Sequence, residues 1–368
     1  MIVGVPKEVK VREGRVAIVP GGVKVLSQAG HKVLLQKSAG LGAGIGDEAY
    51  LRAGAEIVST AEEVWQRSEM IMKVKEPIAQ EYPLMRPGQI LYTFLHLAAV
   101  PDLAHALMER GVRAIGYETI ELADGSLPLL KPMSEVAGRA AVQVGARCLE
   151  KHSGGKGLLL GGVPGVHRGR VVIIGAGAVG INAAKIAIGL GAELTILDIN
   201  QNRLEYLDDI FGSRISTLMS NPENIAKTIP RADLLIGGVL VTGAKAPCLV
   251  SRQLVKMMEP GSAIVDVAID QGGSIETIRP TTHDEPTYEE EGVIHYGVTN
   301  IPGSVPQTST YALTNVTLSY ALELAGKGLQ RALRENPALR KGLNVFDGSI
   351  TYEAVASALS LQFKRYAA

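Results

Sequence analysis

The run VVIIGAGAVG, residues 171–180, restricts the possible folds more than any other ten residues of the chain. Four β-branched residues predict a buried strand, Gly175, Gly177 and Gly180 follow at once, and NAAKIAIGLGA continues with the composition of a helix. A strand, a G-x-G-x-x-G turn and a helix in one βαβ unit form a dinucleotide-binding corner. There Gly175 permits the tight turn, Gly177 lets backbone approach a pyrophosphate, and Gly180 lets helix and strand pack closely. Ala178 and Val179 open the helix whose N–H groups face the phosphates. Eighteen residues past Gly180, the strand ELTIL ends in Asp198, a carboxylate placed to accept ribose hydroxyls and repel a 2′-phosphate. That favours NAD over NADP, although Arg203 just beyond it is a cation that tolerates such a phosphate.

Around this corner the βαβ rhythm repeats. Val171–Ile174, Leu194–Leu197, Ile215–Leu218, Leu234–Ile236, Ala263–Val267 and Ile294–Val298 read as six strands, the number in a dinucleotide fold. The first third offers six more, at Ile2–Val5, Lys32–Leu35, Glu56–Val58, Met70–Val74, Ile90–Leu95 and Arg113–Tyr117. Runs such as MIMKV and ILYTFL are continuous rather than alternating, as expected of parallel strands covered on both faces. With 368 residues, the chain is expected to be α/β, with two doubly wound Rossmann-like domains. Between them, Val136, Ala140, Val144 and Cys148 recur at helical spacing, with Ser134 or a neighbour placed to start the helix. The segment HSGGKGLLLGGVPGVHRGR (152–170) then reads equally as a hinge or as an ordered surface loop. After IPGSVPQTST (301–310), helices are expected from Tyr311 to Ala325, stopped by Gly326, and from about Tyr352 to Tyr366.

Composition excludes several classes of function. Thirty-seven basic residues balance thirty-seven acidic ones, so no net field draws in nucleic acid or an anionic membrane, and aromatics at 4% provide no base-stacking platform. No apolar run is long enough to span a bilayer and the start has no signal-peptide pattern, so a soluble cytoplasmic protein is expected. Cys148 and Cys248 lie apart without a CxxC pair or a histidine cluster, and no metal is expected.

Three ionisable residues follow predicted strands: Lys75 after MIMKV, His96 after ILYTFL and Asp270 after AIVDVAI. Open α/β sheets bind ligands beyond the carboxyl ends of their strands, so these positions point to a site. Each also has a plainer reading: a solvated lysine with Lys73 two residues earlier, a half-buried histidine between Leu95 and Leu97, and an aspartate capping the turn into Gln271 and Gly272. Arg15, in the loop after the first strand, reads alone as a solvated charge. Three of the four supply a carboxylate clamp (Arg15), a donor to a carbonyl oxygen (Lys75) and an acid/base (His96) beside a nicotinamide hydride acceptor. That set suits oxidation of a small amino or hydroxy acid.

The runs GVPKE (4–8), MIMKVKEP (70–77), YETIELADGSLPLLKPMSEVAGR (117–139), GGKGLLLGGVPGV (154–166), TLMSNP (217–222), GAKAP (243–247), VDVAIDQGG (265–273) and TTHDEPTY (281–288) closely resemble the alanine dehydrogenase family of bacteria and archaea. The likeness spans nearly the whole chain to about Lys327. It implies the reversible oxidative deamination of L-alanine to pyruvate and ammonium with NAD. Arg15 and Lys75 would hold the substrate, His96 would be the acid/base and Asp270 would handle water or ammonia. Ser134, Asp198, Arg203, Ser220, Val239, Leu240, the run Val267, Ala268, Ile269 and Asp270, Arg279, and the run Val298, Thr299, Asn300 and Ile301 would line the NAD groove, with Arg203 on the adenosine side. It further implies a substrate domain of residues 1–133 plus 305–368, an NAD-binding domain of residues 134–304, a deep cleft that closes by hinge motion, and a homohexamer. Gln307 stands in a loop where the family often has arginine. Neither Gly326 nor Lys327, near which some members bind metal, is a natural ligand. A related transhydrogenase subunit is expected to carry an Arg-Gln-Asp loop where this chain has ELADGSLPLLKPMSEVAG. A non-catalytic NAD sensor would have lost some of the four residues, and all four are present.

Overall fold

The computed structural model describes residues 1–239 and 246–367. The chain divides into two compact units, Met1–Met133 with Val305–Ala368, and Ser134–Ser304.

In the first unit, β1 (Ile2–Val5), β2 (Lys32–Gln36), β3 (Glu56–Val58), β4 (Met70–Met72), β5 (Ile90–Thr93) and β6 (Arg113–Gly116) all pair in parallel. They are the six expected strands, four of them trimmed or extended by one or two residues. In the second unit, β7 (Arg170–Ile174), β8 (Glu193–Asp198), β9 (Ser216–Met219), β10 (Leu234–Gly237), β11 (Ala263–Asp266) and β13 (Val293–Tyr296) are parallel, and β12 (Thr287–Glu290) adds an antiparallel edge to β13. The chain then returns to the first sheet with β14 (Leu343–Phe346), antiparallel to β6, and β15 (Ser349–Ile350). The sheet orders are β15-β14-β6-β5-β4-β1-β2-β3 and β12-β13-β11-β10-β7-β8-β9. Each contains a doubly wound order that reverses direction at its first strand, between β1 and β4 and between β7 and β10. Such reversals open a crevice at the strand ends.

The second sheet shows why its strands lack polar alternation. Val171 and Ile173 of β7 pack into one apolar cluster with Ile196, Ile236 and Val265, while Val172 and Ile174 pack into another with Leu197, Leu235 and Ile264. Successive side chains leave a strand on opposite faces, so two buried faces demand an apolar residue at every position.

Four expectations are corrected. The helix after Leu130 spans Lys131–Cys148, so Ser134 lies within it rather than capping it; Pro132 in its first turn costs no hydrogen bond. The helix Pro306–Lys327 runs through Gly326 and ends at Gly328, whose φ of +73° suits a residue without Cβ, and its first turn contains Gln307. The last helix is shorter, Glu353–Leu359, and stops at Ser360, which has a left-handed φ of 55°. The strands β12, β14 and β15 were not expected. Among the described residues, no helix is long and apolar enough to cross a membrane.

Candidate functional site

Parallel register brings distant residues together at the carboxyl end of the first sheet. The strands β1 and β4 pair Val3 with Met70 and Gly4 with Ile71, an offset of 67, and Glu8 lies 67 residues before Lys75. The offset between β4 and β5 is 20, from Met70 to Ile90, and Glu76 lies 20 before His96. Between β5 and β6 it is 23, from Ile90 to Arg113, and Leu95 lies 23 before Glu118. The loops leaving four adjacent strands thus continue the register of the sheet beneath them.

His96 is the most constrained of these residues. Its backbone is left-handed, φ 49° and ψ 33°, a conformation that few residues other than glycine adopt. The Glu118 carboxylate holds it there, accepting the His96 N–H at 2.7 Å and the Leu95 N–H at 3.0 Å. The half-exposed ring stacks on Phe94, with centroids 5.7 Å apart, and its Nδ1 lies 3.0 Å from Oε2 of buried Glu76. Burial pushes the Glu76 carboxyl up, but hydrogen bonds from His96 and Lys10 outweigh it and hold the group down at about 2. An ionised carboxylate only accepts, so Nδ1 is the donor of this bond, which directs the ring's other nitrogen, Nε2, away from Glu76. Lys75 is half-buried; its N–H points to Glu8 Oε2 at 3.4 Å and its carbonyl accepts from Thr93 Oγ1 at 3.1 Å.

Arg15 is not the solvated charge of its plainer reading. It is 2% exposed and its Nε and Nη2 lie 2.7 and 2.5 Å from the two oxygens of Glu13, while Nη1 faces Met133 Sδ at 3.2 Å. One edge of its guanidinium fork, Nε and Nη2, is therefore taken by Glu13. Glu8, Glu13, Glu76 and Glu118 were all missed in the sequence; an acidic residue shortly after each predicted strand was the available signal.

At the carboxyl end of the second sheet, Gly175 has a φ of +104°, and a Cβ there would meet the Gly238 carbonyl oxygen at 2.7 Å. A Cβ on Gly180 would lie 1.8 Å from the Gly175 carbonyl oxygen, so the helix Ala178–Gly189 sits on the turn at glycine distance. A Cβ on Gly177 would meet nothing within 4 Å. That open space, at the N-terminus of a twelve-residue helix, fits a pyrophosphate. Asp198 ends β8; its Oδ2 accepts the Ala176 N–H at 2.5 Å and its Oδ1 the Asn200 N–H at 2.8 Å. Each oxygen keeps acceptor capacity for a ribose hydroxyl. The Ser220 N–H binds the Asp198 carbonyl at 2.9 Å, and exposed Arg203 lies in the first turn of the next helix, Gln201–Phe211, capped by Asn200. Buried Asp266 accepts the N–H groups of Ala268 and Ser274 at 2.9 and 2.6 Å, holding both ends of the turn that exposes Asp270. Arg279 lies over the Tyr288 ring at 4.2 Å.

Among the other nucleotide-groove expectations, Val239 is half-buried after β10, Thr299 is exposed and Asn300 is left-handed at φ 67°. Val298, Ile301, Ala268 and Ile269 are at most 7% exposed, so their side chains serve the core and only backbone could line a groove there. Leu240 lies outside the described residues, as does most of the GAKAP run.

The chain matches known families along nearly its whole length. "Alanine dehydrogenase/PNT, N-terminal domain" matches residues 4–137, and "Alanine dehydrogenase/PNT, C-terminal domain" matches residues 141–353. The chain is 63% identical over 364 residues to the alanine dehydrogenase of Methanococcus maripaludis, covering 99% of this chain and 98% of that one. It is 60% identical to the alanine dehydrogenase of Bacillus subtilis, over 99% of this chain and 96% of that one. A solved L-alanine dehydrogenase superposes with a TM-score of 0.95 at 53% identity, over 98% of this chain and 99% of that one. The transhydrogenase of Sinorhizobium meliloti, at 24% identity and a TM-score of 0.83, shares the fold over 96% of this chain and all of its own. The chain belongs to the alanine dehydrogenase/PNT family.

Proposed function

We propose that the chain is an NAD-dependent L-alanine dehydrogenase, catalysing L-alanine + NAD⁺ + H₂O ⇌ pyruvate + NH₄⁺ + NADH + H⁺. The observation that carries this reading is the register-built cluster in which a lysine and an imidazole fixed by a buried carboxylate share one sheet end, in a chain 63% identical to an alanine dehydrogenase. Bound NAD supplies the hydride acceptor. Gly175, Gly177, Gly180 and the N–H groups opening the Ala178–Gly189 helix would hold its pyrophosphate, and Asp198 its adenosine ribose. Arg203, Ser220, Arg279 and the backbone of Val267–Asp270 and Val298–Ile301 belong to the same proposed groove, with Ser134, Val239 and Leu240.

The substrate carboxylate pairs with the Arg15 guanidinium, which Glu13 keeps from turning. Lys75 donates to the substrate oxygen, favouring charge that develops there during addition and loss of water or ammonia. His96 Nε2 takes the proton from attacking water and returns one to the departing amine, and Glu76 stabilises the imidazolium between these steps. Asp270 orients the water or ammonia. Met1–Met133 with Val305–Ala368 act as the substrate domain and Ser134–Ser304 as the NAD domain. A cytoplasmic location and a homohexamer belong to the same reading; sedimentation at monomer mass would discard the hexamer.

The deciding assay follows NADH absorbance with purified protein, pyruvate and ammonium, with glyoxylate, NADPH and ammonium-free controls. Ammonium-dependent loss of NADH with pyruvate is expected. Tight NADH binding without turnover across a pH series would overturn the reading.

A further inference from the structure

Behind Lys75, the first unit buries three ionisable side chains that the proposed chemistry does not use. Glu8, Lys73 and Glu81 are 6, 0 and 3% exposed. Lys73 Nζ lies 3.2 Å from Glu8 Oε2 and 3.0 Å from Glu81 Oε1, so one ammonium is shared by two carboxylates. Ions taken this far from water cost several kcal/mol each before their mutual attraction is counted, and apolar residues of the same size would pack as well. What apolar residues would not do is hold backbone amides. Glu8 Oε1 accepts the Val74 N–H at 2.6 Å and Oε2 points to the Lys75 N–H at 3.4 Å. At the other end of the array, Glu81 Oε2 accepts the Ile78 N–H at 3.1 Å.

The array therefore grips both ends of a five-residue stretch beyond the end of β4 at Met72, where from the β5 side Phe94 N–H and Thr93 Oγ1 bond to the Val74 and Lys75 carbonyls. Within that stretch stand Lys75 and Glu76, and Glu76 in turn orients His96. The location is the reversal point of the first sheet, between β1 and β4, where a doubly wound sheet opens its crevice.

We propose that Glu8 is a positioning residue for the reaction: with Lys73 and Glu81 it fixes the Val74–Ile78 backbone so that Lys75 and, through Glu76, His96 meet the substrate in one geometry. The proposal rests on the reading of Lys75 as the lysine that engages the substrate oxygen. Glu8 and Lys73 touch no reacting atom in this scheme. Glu8→Gln is the informative substitution because it changes charge and bonding but hardly changes shape. Its amide oxygen can still accept from Val74, but its NH₂ then turns a donor towards the Lys75 N–H and the Lys73 ammonium. The Lys73–Glu81 pair that remains is electrically balanced, so the fold is spared an unpaired buried charge.

The test uses the full chain in the reductive direction and compares wild type, Glu8→Gln, Glu81→Gln and Lys75→Ala by initial rates, NADH binding and thermal unfolding. For Glu8→Gln the pyruvate KM should rise roughly tenfold, up to the ~10²-fold that a misplacement of about 1 Å can cost, with NADH affinity changed by less than about twofold. A wild-type pyruvate KM in Glu8→Gln, with Lys75→Ala inactive, overturns the positioning role and leaves the site reading intact. A fall in kcat alone also overturns it, because a smaller folded fraction lowers kcat without moving KM. If Lys75→Ala keeps a normal pyruvate KM, the site reading itself fails and takes this proposal with it. Should Glu8→Gln not accumulate as folded protein, Glu81→Gln decides: a raised pyruvate KM supports the array and an unchanged one refutes it.

Discussion

Two glycines three residues apart should fail in opposite ways when each becomes alanine. At Gly180 the new methyl would lie 1.8 Å from the Gly175 carbonyl oxygen and 3.0 Å from its carbonyl carbon. Both are backbone atoms of a turn that is itself pinned, since the Gly175 N–H binds the Leu197 carbonyl at 2.7 Å and Asp198 holds the next amide. Ordinary contact requires the helix and turn to part by more than about 1.5 Å, and a packed core does not yield that far without loss. Overpacking of this kind costs about 3 kcal/mol, which for a unit of this size lowers Tm by about 6–12 °C. At Gly177 the same methyl enters open space from an ordinary φ of −74°, so stability should hold within about 0.5 kcal/mol. That space is the one assigned to the pyrophosphate, so Gly177→Ala should weaken NADH by roughly 10- to 100-fold. Thermal unfolding and quenching of NADH fluorescence, run on both variants, separate the two effects. If Gly177→Ala binds NADH like wild type, the assignment of that space is wrong; if Gly180→Ala melts like wild type, the packing argument is wrong.

Further outcomes follow from the same geometry. His96→Ala should lower turnover by about 10² to 10⁴ while NADH still binds, the usual worth of a positioned acid/base; unchanged turnover would remove His96 from the mechanism. Asp198→Asn should narrow the preference for NAD over NADP, because repulsion of a 2′-phosphate disappears while an acceptor for the Ala176 N–H is kept. An unchanged ratio of kcat/KM for the two nucleotides would mean that another group reads the ribose. Glu76 ionises at about 2 in the folded chain against an ordinary 4.5, so its interactions stabilise the fold above pH 4.5 and are lost as pH falls towards 2. That contribution is at most about 3 kcal/mol. Denaturant midpoints measured down the acid limb should lose part of their slope in Glu76→Gln, and a slope equal to wild type would refute the assignment.

The strands that could be read from the sequence are those buried on both faces, because burial writes itself as an unbroken apolar run. Of the strands that could not, TYEE and SI lie at sheet edges, where one exposed face or a two-residue length erases that signal, and LNVF breaks its buried run with the polar Asn344. The site divided along a similar line. Glycine spacing and a strand-end aspartate pointed to a nucleotide corner because turn, helix and carboxylate all lie within thirty residues. Lys75 and His96 could be found as strand-end residues, but the glutamates that hold them could not, since Glu8 and Lys75 become neighbours only through the pairing of β1 with β4. Offsets of 67, 20 and 23 residues are properties of the sheet and of loop lengths, and no local pattern encodes them.

The late return of β14 and β15 sets an order for synthesis. The second unit is complete once residue 304 has been made, and it can fold while the ribosome is still working. The first unit was begun earlier but is finished later. Until Leu343–Phe346 arrives, β6 presents an unpaired row of amides and carbonyls beside the strand that leads to His96, the kind of edge on which nascent chains associate wrongly. A polypeptide released short of residue 343 would therefore carry a finished glycine corner and every residue assigned to the chemistry, yet leave β6 as an open edge of its first sheet.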